Sequence, residues 1–314
     1  MFDFLSRKCG DELRDLKKSK CKIDSGGTPL VLQKAVTTAA LAGMYCLCAN
    51  FVLSLTIGKL GITDETVRLL SLGLITLFTM LPPSVMYLWK WKDTDLLYSG
   101  KNEKQIGKSE TLLAVILGFA ICAVLNFVIS LTNQANVSSG VLFHDLQGFW
   151  TAVLTVGILP AVCEELLFRK CIVGSLKKYD DLLAVLISAV IFGMLHSGIT
   201  GMSFAFLSGI VLGFVRLYTG SFSAVVAVHL LNNLLALGTA AVGVFISPEL
   251  KSVVFYAFGI SGIIFFVLCF ILLKPRKIKL YRLKENEKEL FIQTLKDSPV
   301  LWGYILLAIV IKIF

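Results

Sequence analysis

A chain of 314 residues with 56% hydrophobic and 16% charged side chains and a mean hydropathy of +0.80 is far more apolar than a soluble domain of its length. That composition excludes a soluble globular enzyme and reads as an all-α polytopic membrane protein. The formal net charge of +9 is no sign of a nucleic-acid partner, because Lys and Arg crowd into a few short stretches flanking the apolar runs.

The first twenty residues, MFDFLSRKCGDELRDLKKSK, are charged throughout and lack the apolar centre of a cleavable signal peptide, so residues 1–34 read as a retained, basic, cytoplasmic segment. Apolar runs long enough to span follow near 35–57, 69–89, 111–132, 150–176, 182–197, 203–218, 222–245 and 253–273, about eight transmembrane helices in one bundle over 35–273. An even number of spans returns both ends to the same side. The charge map agrees: basic stretches before the first span, at 90–108, near 177 and from 274 are expected inside. TNQANVSSGVLFHDLQGF, at 132–149, carries no basic residue and is expected outside. The expected location is therefore the cell membrane, multi-pass, with a cytoplasmic N-terminus. Residues 274–314 close the chain as a basic cytoplasmic segment and a short hydrophobic run carrying Lys312, which is either a ninth helix or an interfacial one.

Within the spans, Pro82 and Pro83 are expected to kink the second helix, and Pro160 to kink or restart the fourth, since proline cannot donate to residue i−4. Gly193, Gly209 and Gly213 read as close-packing points between helices. The eight cysteines, at 9, 21, 46, 48, 122, 163, 171 and 269, show no zinc-site spacing and read as buried small hydrophobes. His144 reads as a solvated loop residue. No internal repeat is present.

The polar residues at membrane depth carry the functional signal, because an ionisable group there is expensive unless it is paired or working. Three segments supply three sets: Glu164, Glu165 and Arg169 in EELLFR; Phe192 and His196 in FGMLH; His229 and Asn233 in HLLNN. Glu165 with Arg169, Phe192 with His196, and His229 with Asn233 are each four apart and share a helix face. Counting from a turn near 178–181 at ~1.5 Å per residue puts Glu164 and His196 at similar depth, roughly 21 to 23 Å away, so that they can face each other. His229, about seven residues after the turn at 219–221, comes out nearer the cytoplasmic side.

In this order and spacing, E-E-x-x-x-R, F-x-x-x-H and H-x-x-x-N resemble the CPBP family of intramembrane proteases, which includes the type II CAAX prenyl endopeptidases; the resemblance covers about 149–245. It implies an intramembrane endopeptidase acting on a peptide or protein substrate, lipidated or membrane-associated, within the bilayer. By the same resemblance Glu164 is the base that activates water, His196 helps hold that water, and His229 and Asn233 donate to the oxyanion. Glu165 and Arg169 form a self-neutralising pair, and Phe192 supports the site. A departure from the family pattern is Lys170, where glycine is usual after the arginine.

Family members are commonly called metalloproteases, and a glutamate with two histidines is a conceivable zinc set. H-E-x-x-H is absent, however, and the family is also described as metal-free, so the metal ligands stay unassigned and no cofactor is favoured. The alternative reading is a non-catalytic membrane scaffold or regulator with the same fold. A proton-relaying transporter is weaker, for want of repeat symmetry.

Overall fold

The computed structural model describes residues 30–90, 106–132, 143–177, 179–246, 248–272, 280 and 285–313. The basic N-terminal segment, the basic stretches within 91–105 and 274–279, and most of the loop expected outside lie beyond them. Among the described residues every regular element is helical. In chain order these are α1 (Leu30–Lys59), α2 (Glu65–Lys90), α3 (Lys108–Thr132), α4 (Leu146–Leu176), α5 (Asp181–Met194), α6 (Gly198–Thr219), α7 (Phe222–Phe245), α8 (Pro248–Leu272), α9 (Glu285–Lys296) and α10 (Pro299–Ile313).

Among the described residues six helices, α1 to α4 with α6 and α7, are long and apolar enough to cross a bilayer. The shorter apolar stretches are Asp181–Met194, Gly259–Leu268 and Pro299–Lys312. The expected fifth span is thus the short α5, which stops three residues before the end of the 182–197 run. The eighth falls within α8. Large apolar side chains such as Leu55, Trp89, Val253 and Ile271 stand well exposed on these helices, as lipid-facing residues do. An unforeseen helix, α9, precedes α10 and turns the fully buried Phe291 into the core, where it packs against α1.

α4 lies at the centre, packed against α2, α5 and α7, while α3 packs against α6, α7 and α8. Capping side chains fix where the central helices begin: Asp145 accepts from Gly148 N–H, Asp180 from Leu183 N–H and Ser221 from Ala224 N–H. Gly220, at φ +63°, ends α6 in the left-handed conformation and makes the tight turn into α7.

The three glycines do mark close packing. A Cβ on Gly213 would stand 2.7 Å from Val185 Cγ1, on Gly209 3.2 Å from Ala189 Cα, and on Gly193 3.0 Å from Phe206 Cβ, so α5 and α6 approach nearly backbone to backbone. α2 continues through Pro82 and Pro83. Cys46, Cys122, Cys163 and Cys171 are buried free thiols as expected, but Cys48 is exposed on the outer face of α1. His144 is not merely solvated either. Its Nδ1 lies 2.6 Å from Glu65 Oε2 and its backbone N–H donates to Glu65 Oε1 at 3.2 Å, tying the approach to α4 onto the start of α2.

Candidate active site

α4 is not a uniform helix. Val153–Ile158 and Leu166–Val173 are π-helical, with Leu159 N–H reaching back five residues to Leu154 O. Wide turns of this kind rotate the side chains beyond them out of the 3.6-residue register and often occur at functional sites. Pro160 supplies a local cause. In an α-helix the carbonyl of Val156 would accept from residue 160, and proline has no N–H to give. Asn233 of α7 makes up the loss, its Nδ2 donating to Val156 O at 3.4 Å and Gly157 O at 3.2 Å. The helix therefore widens ahead of Pro160 and runs on through it.

Between the two wide stretches stand Glu164 and Glu165. Glu165 and Arg169 are completely buried, and Arg169 Nη1 donates to Glu165 Oε1 at 3.1 Å, as the i, i+4 spacing implies. The pair is not closed on itself, however. His229 Nδ1 lies 2.6 Å from the same Oε1 atom, while Arg169 Nη2 donates to Gly209 O at 3.2 Å. The other nitrogen of His229, Nε2, lies 3.7 Å from Glu164 Oε2, so one imidazole stands between both carboxylates. The carboxylate on Nδ1 fixes the ring and leaves Nε2 directed toward Glu164.

Phe192 holds this cluster from the side. The Arg169 guanidinium lies 4.7 Å over its ring, and the rings of His196 and His229 meet it edge-on with centroids 4.8 and 6.2 Å away. A cation stacked on an aromatic face gains most where water is scarce. His196 itself lies just past the end of α5, in the turn before α6, with Nδ1 2.9 Å from Phe192 O. The described contacts give Glu164 His229 as its ion-pair partner and none with His196.

His196, His229 and Asn233 line one cavity of about 270 Å³. Its walls include polar residues that the motifs did not flag. Asn232 and Asn126 join across α7 and α3, Asn126 Nδ2 donating to Asn232 Oδ1 at 3.3 Å. Asn232 was visible in HLLNN but lay outside the i, i+4 pattern. Nothing in the sequence links Asn126, 106 positions away, to it.

His229 Nδ1 is held by Glu165 and His196 Nδ1 by its own backbone, which leaves Nε2 as the outward nitrogen of each ring. Among the described residues no three His, Cys, Asp or Glu side chains converge as metal ligands.

Residues 146–235 match the family model of type II CAAX prenyl endopeptidase Rce1-like proteins. Over that segment the chain is similar to an Rce1-like domain. The match takes in all seven motif residues, Glu164 to Asn233, and covers most of the stretch over which the sequence resembles the CPBP family. That family is one of CAAX-type proteases, whose substrates are peptides or proteins. No curated protein and no solved structure matches the chain.

Proposed function

We propose that the protein is an intramembrane endopeptidase that hydrolyses peptide bonds with water activated by Glu164. The observation that carries this reading is the single imidazole set between two carboxylates: His229 is anchored through Nδ1 by Glu165 and presents Nε2 toward Glu164. A carboxylate shielded from bulk water is a stronger base than one in solution. Glu164 takes a proton from water, the hydroxide oxygen attacks the peptide carbonyl carbon, and the proton passes on to the leaving amine as the C–N bond breaks. The oxyanion formed meanwhile needs fixed donors. His229 Nε2, when it carries a proton, and the Asn233 amide supply them, since one N–H of Asn233 directed between the adjacent carbonyls of Val156 and Gly157 leaves its second N–H for substrate. His196 borders the same cavity and holds the water.

Arg169 and Phe192 keep Glu165, and through it His229, in place. A neighbouring apolar cavity of about 370 Å³ between α3, α7 and α8 shares Asn126 and Ala236 with the first and suits an apolar or lipidated part of a membrane-associated substrate. The charge-derived orientation, with the N-terminus and the Lys177 turn cytoplasmic, belongs to the same proposal.

The test is Glu164→Gln in the purified, membrane-reconstituted protein, incubated with a peptide library and read by mass spectrometry. Wild type cleaves; the variant elutes as a folded, monodisperse species but does not cleave. Chelators leave the wild-type rate unchanged. Full activity in Glu164→Gln overturns the mechanism, and its unchanged biological effect in cells would favour the scaffold reading.

A further inference from the structure

α5 has 14 residues, roughly 21 Å at ~1.5 Å per residue, against a hydrocarbon core of ~30 Å. Its last carbonyls and the irregular turn at 195–197 therefore end at membrane depth, where backbone groups must find partners inside the protein. Three of them do so through side chains. His196 Nδ1 reaches Phe192 O, and the other two donors come from α10: Tyr304 Oη donates to Ile191 O at 2.9 Å, and Lys312 Nζ donates to His196 O at 2.7 Å.

Tyr304, Ala308 and Lys312 are spaced four apart and form one stripe of α10; the first two are buried in the core. The approach is specific. Gly43 of α1 leaves room for it, because a Cβ there would lie 2.8 Å from Ile191 Cγ2 and 3.0 Å from the Tyr304 ring. The short hydrophobic run that closes the chain is thus neither a loose interfacial helix nor a spectator.

We infer that α10 is a positioning element for the proposed site: Tyr304 and Lys312, acting through the backbone at the end of α5, set where the His196 ring stands. The inference rests on the reading of His196 as part of the catalytic cavity. Neither residue touches substrate.

His196 and Lys312 also line a second cavity of about 500 Å³, which gives a small reagent access to the ring. The full chain in detergent is treated with diethyl pyrocarbonate, and the modification rate of His196 is followed by peptide mass spectrometry with the exposed His144 as internal reference. We expect Lys312→Met to change the His196 rate by about threefold or more and to lower kcat about tenfold or more with KM within about twofold, while His144 is unaffected. Lys312→Arg restores both values, because it keeps the cationic donor. Tyr304→Phe shifts them in the same direction.

An unchanged His196 rate in Lys312→Met overturns the inference. If Lys312→Met fails to fold, Tyr304→Phe, which removes only a hydroxyl, decides on the same criterion. A changed His196 rate in a protein whose wild type cleaves nothing would sustain the positioning role and sink the peptidase reading instead.

Discussion

Two groups of buried charge sit along α4 and its exit, and they are built differently. At mid-helix, Glu165 and Arg169 are fully buried and interlocked with His229, Gly209 O and the Phe192 ring. Just past the end of α4, Lys177 is half-buried near Arg216 and Asp181. Its pKa falls to about 8, because burial and then the Arg216 charge disfavour the ammonium while Asp181 opposes them only in part. The deep group meets desolvation with directed partners, which also fixes the direction of an imidazole. In the shallow group the ammonium of Lys177 is disfavoured, and its basicity falls. Only the first arrangement aims atoms well enough for chemistry.

The largest expected effect comes from breaking the deep group at its reacting end. Glu164→Gln keeps the shape and removes the proposed base, so peptidase activity in reconstituted protein should fall on the order of 10²–10⁴-fold with melting temperature unchanged or slightly raised. A comparable loss of melting temperature would assign Glu164 to the structural network and leave the site without its base.

Next in size is the anchor. Glu165→Gln or Arg169→Met alone leaves the other partner buried beside an uncompensated neighbour and should each destabilise the protein by about 3–5 kcal/mol in detergent unfolding. The double variant recovers much of that stability, as coupled partners do. It does not recover activity, since His229 has lost the carboxylate on Nδ1. Additive losses in the double variant would mean that the two charges are not each other's partner.

What the sequence told in advance follows the same division. The Glu165–Arg169 contact was legible because four residues on a helix is a local rule. The contact from Glu165 to His229 was not, because two π-helical stretches turn this part of α4 out of the α-helical register and no periodicity reports where a carboxylate then points. The depth count set Glu164 opposite His196 and His229 to one side; the structure gives Glu164 to His229 and puts His196 beyond the end of α5. Gly198, at φ +65°, opens α6 after that early stop. Pro160 was read as a kink or restart of the helix; the structure adds a freed carbonyl that Asn233 finds from another helix. The span count survived with less exactness than the fold class, since α5 is too short to cross by itself and α10 serves its far end.

A smaller effect tests Asn233, which stands between structure and chemistry. Asn233→Ala removes both the proposed oxyanion donor and the partner of two carbonyls, so kcat should drop by on the order of 10²-fold together with a modest loss of stability. Asn233→Asp cannot donate to either carbonyl and should be worse on both counts. Stability loss with kcat intact in the alanine variant would confine Asn233 to holding the π-helical stretch.

The smallest effect belongs to the shallow group and carries a pH signature. In the unfolded chain Lys177 titrates near its ordinary value of 10.5 and in the folded protein near 8. Between those values the unfolded state holds more protons, so this lysine makes the fold gain stability as pH rises through that window. Below about 8 both states are protonated and the full penalty of a half-buried ammonium persists. Lys177→Met should therefore raise the melting temperature at pH 7, and the advantage should shrink steadily from pH 8 toward 10.5. Peptidase activity should stay at the wild-type level, because Lys177 does not line the cavity. A melting-temperature gain independent of pH would show that methionine stabilises by packing alone. Lost activity would show that the two groups of charge are coupled along α4 after all.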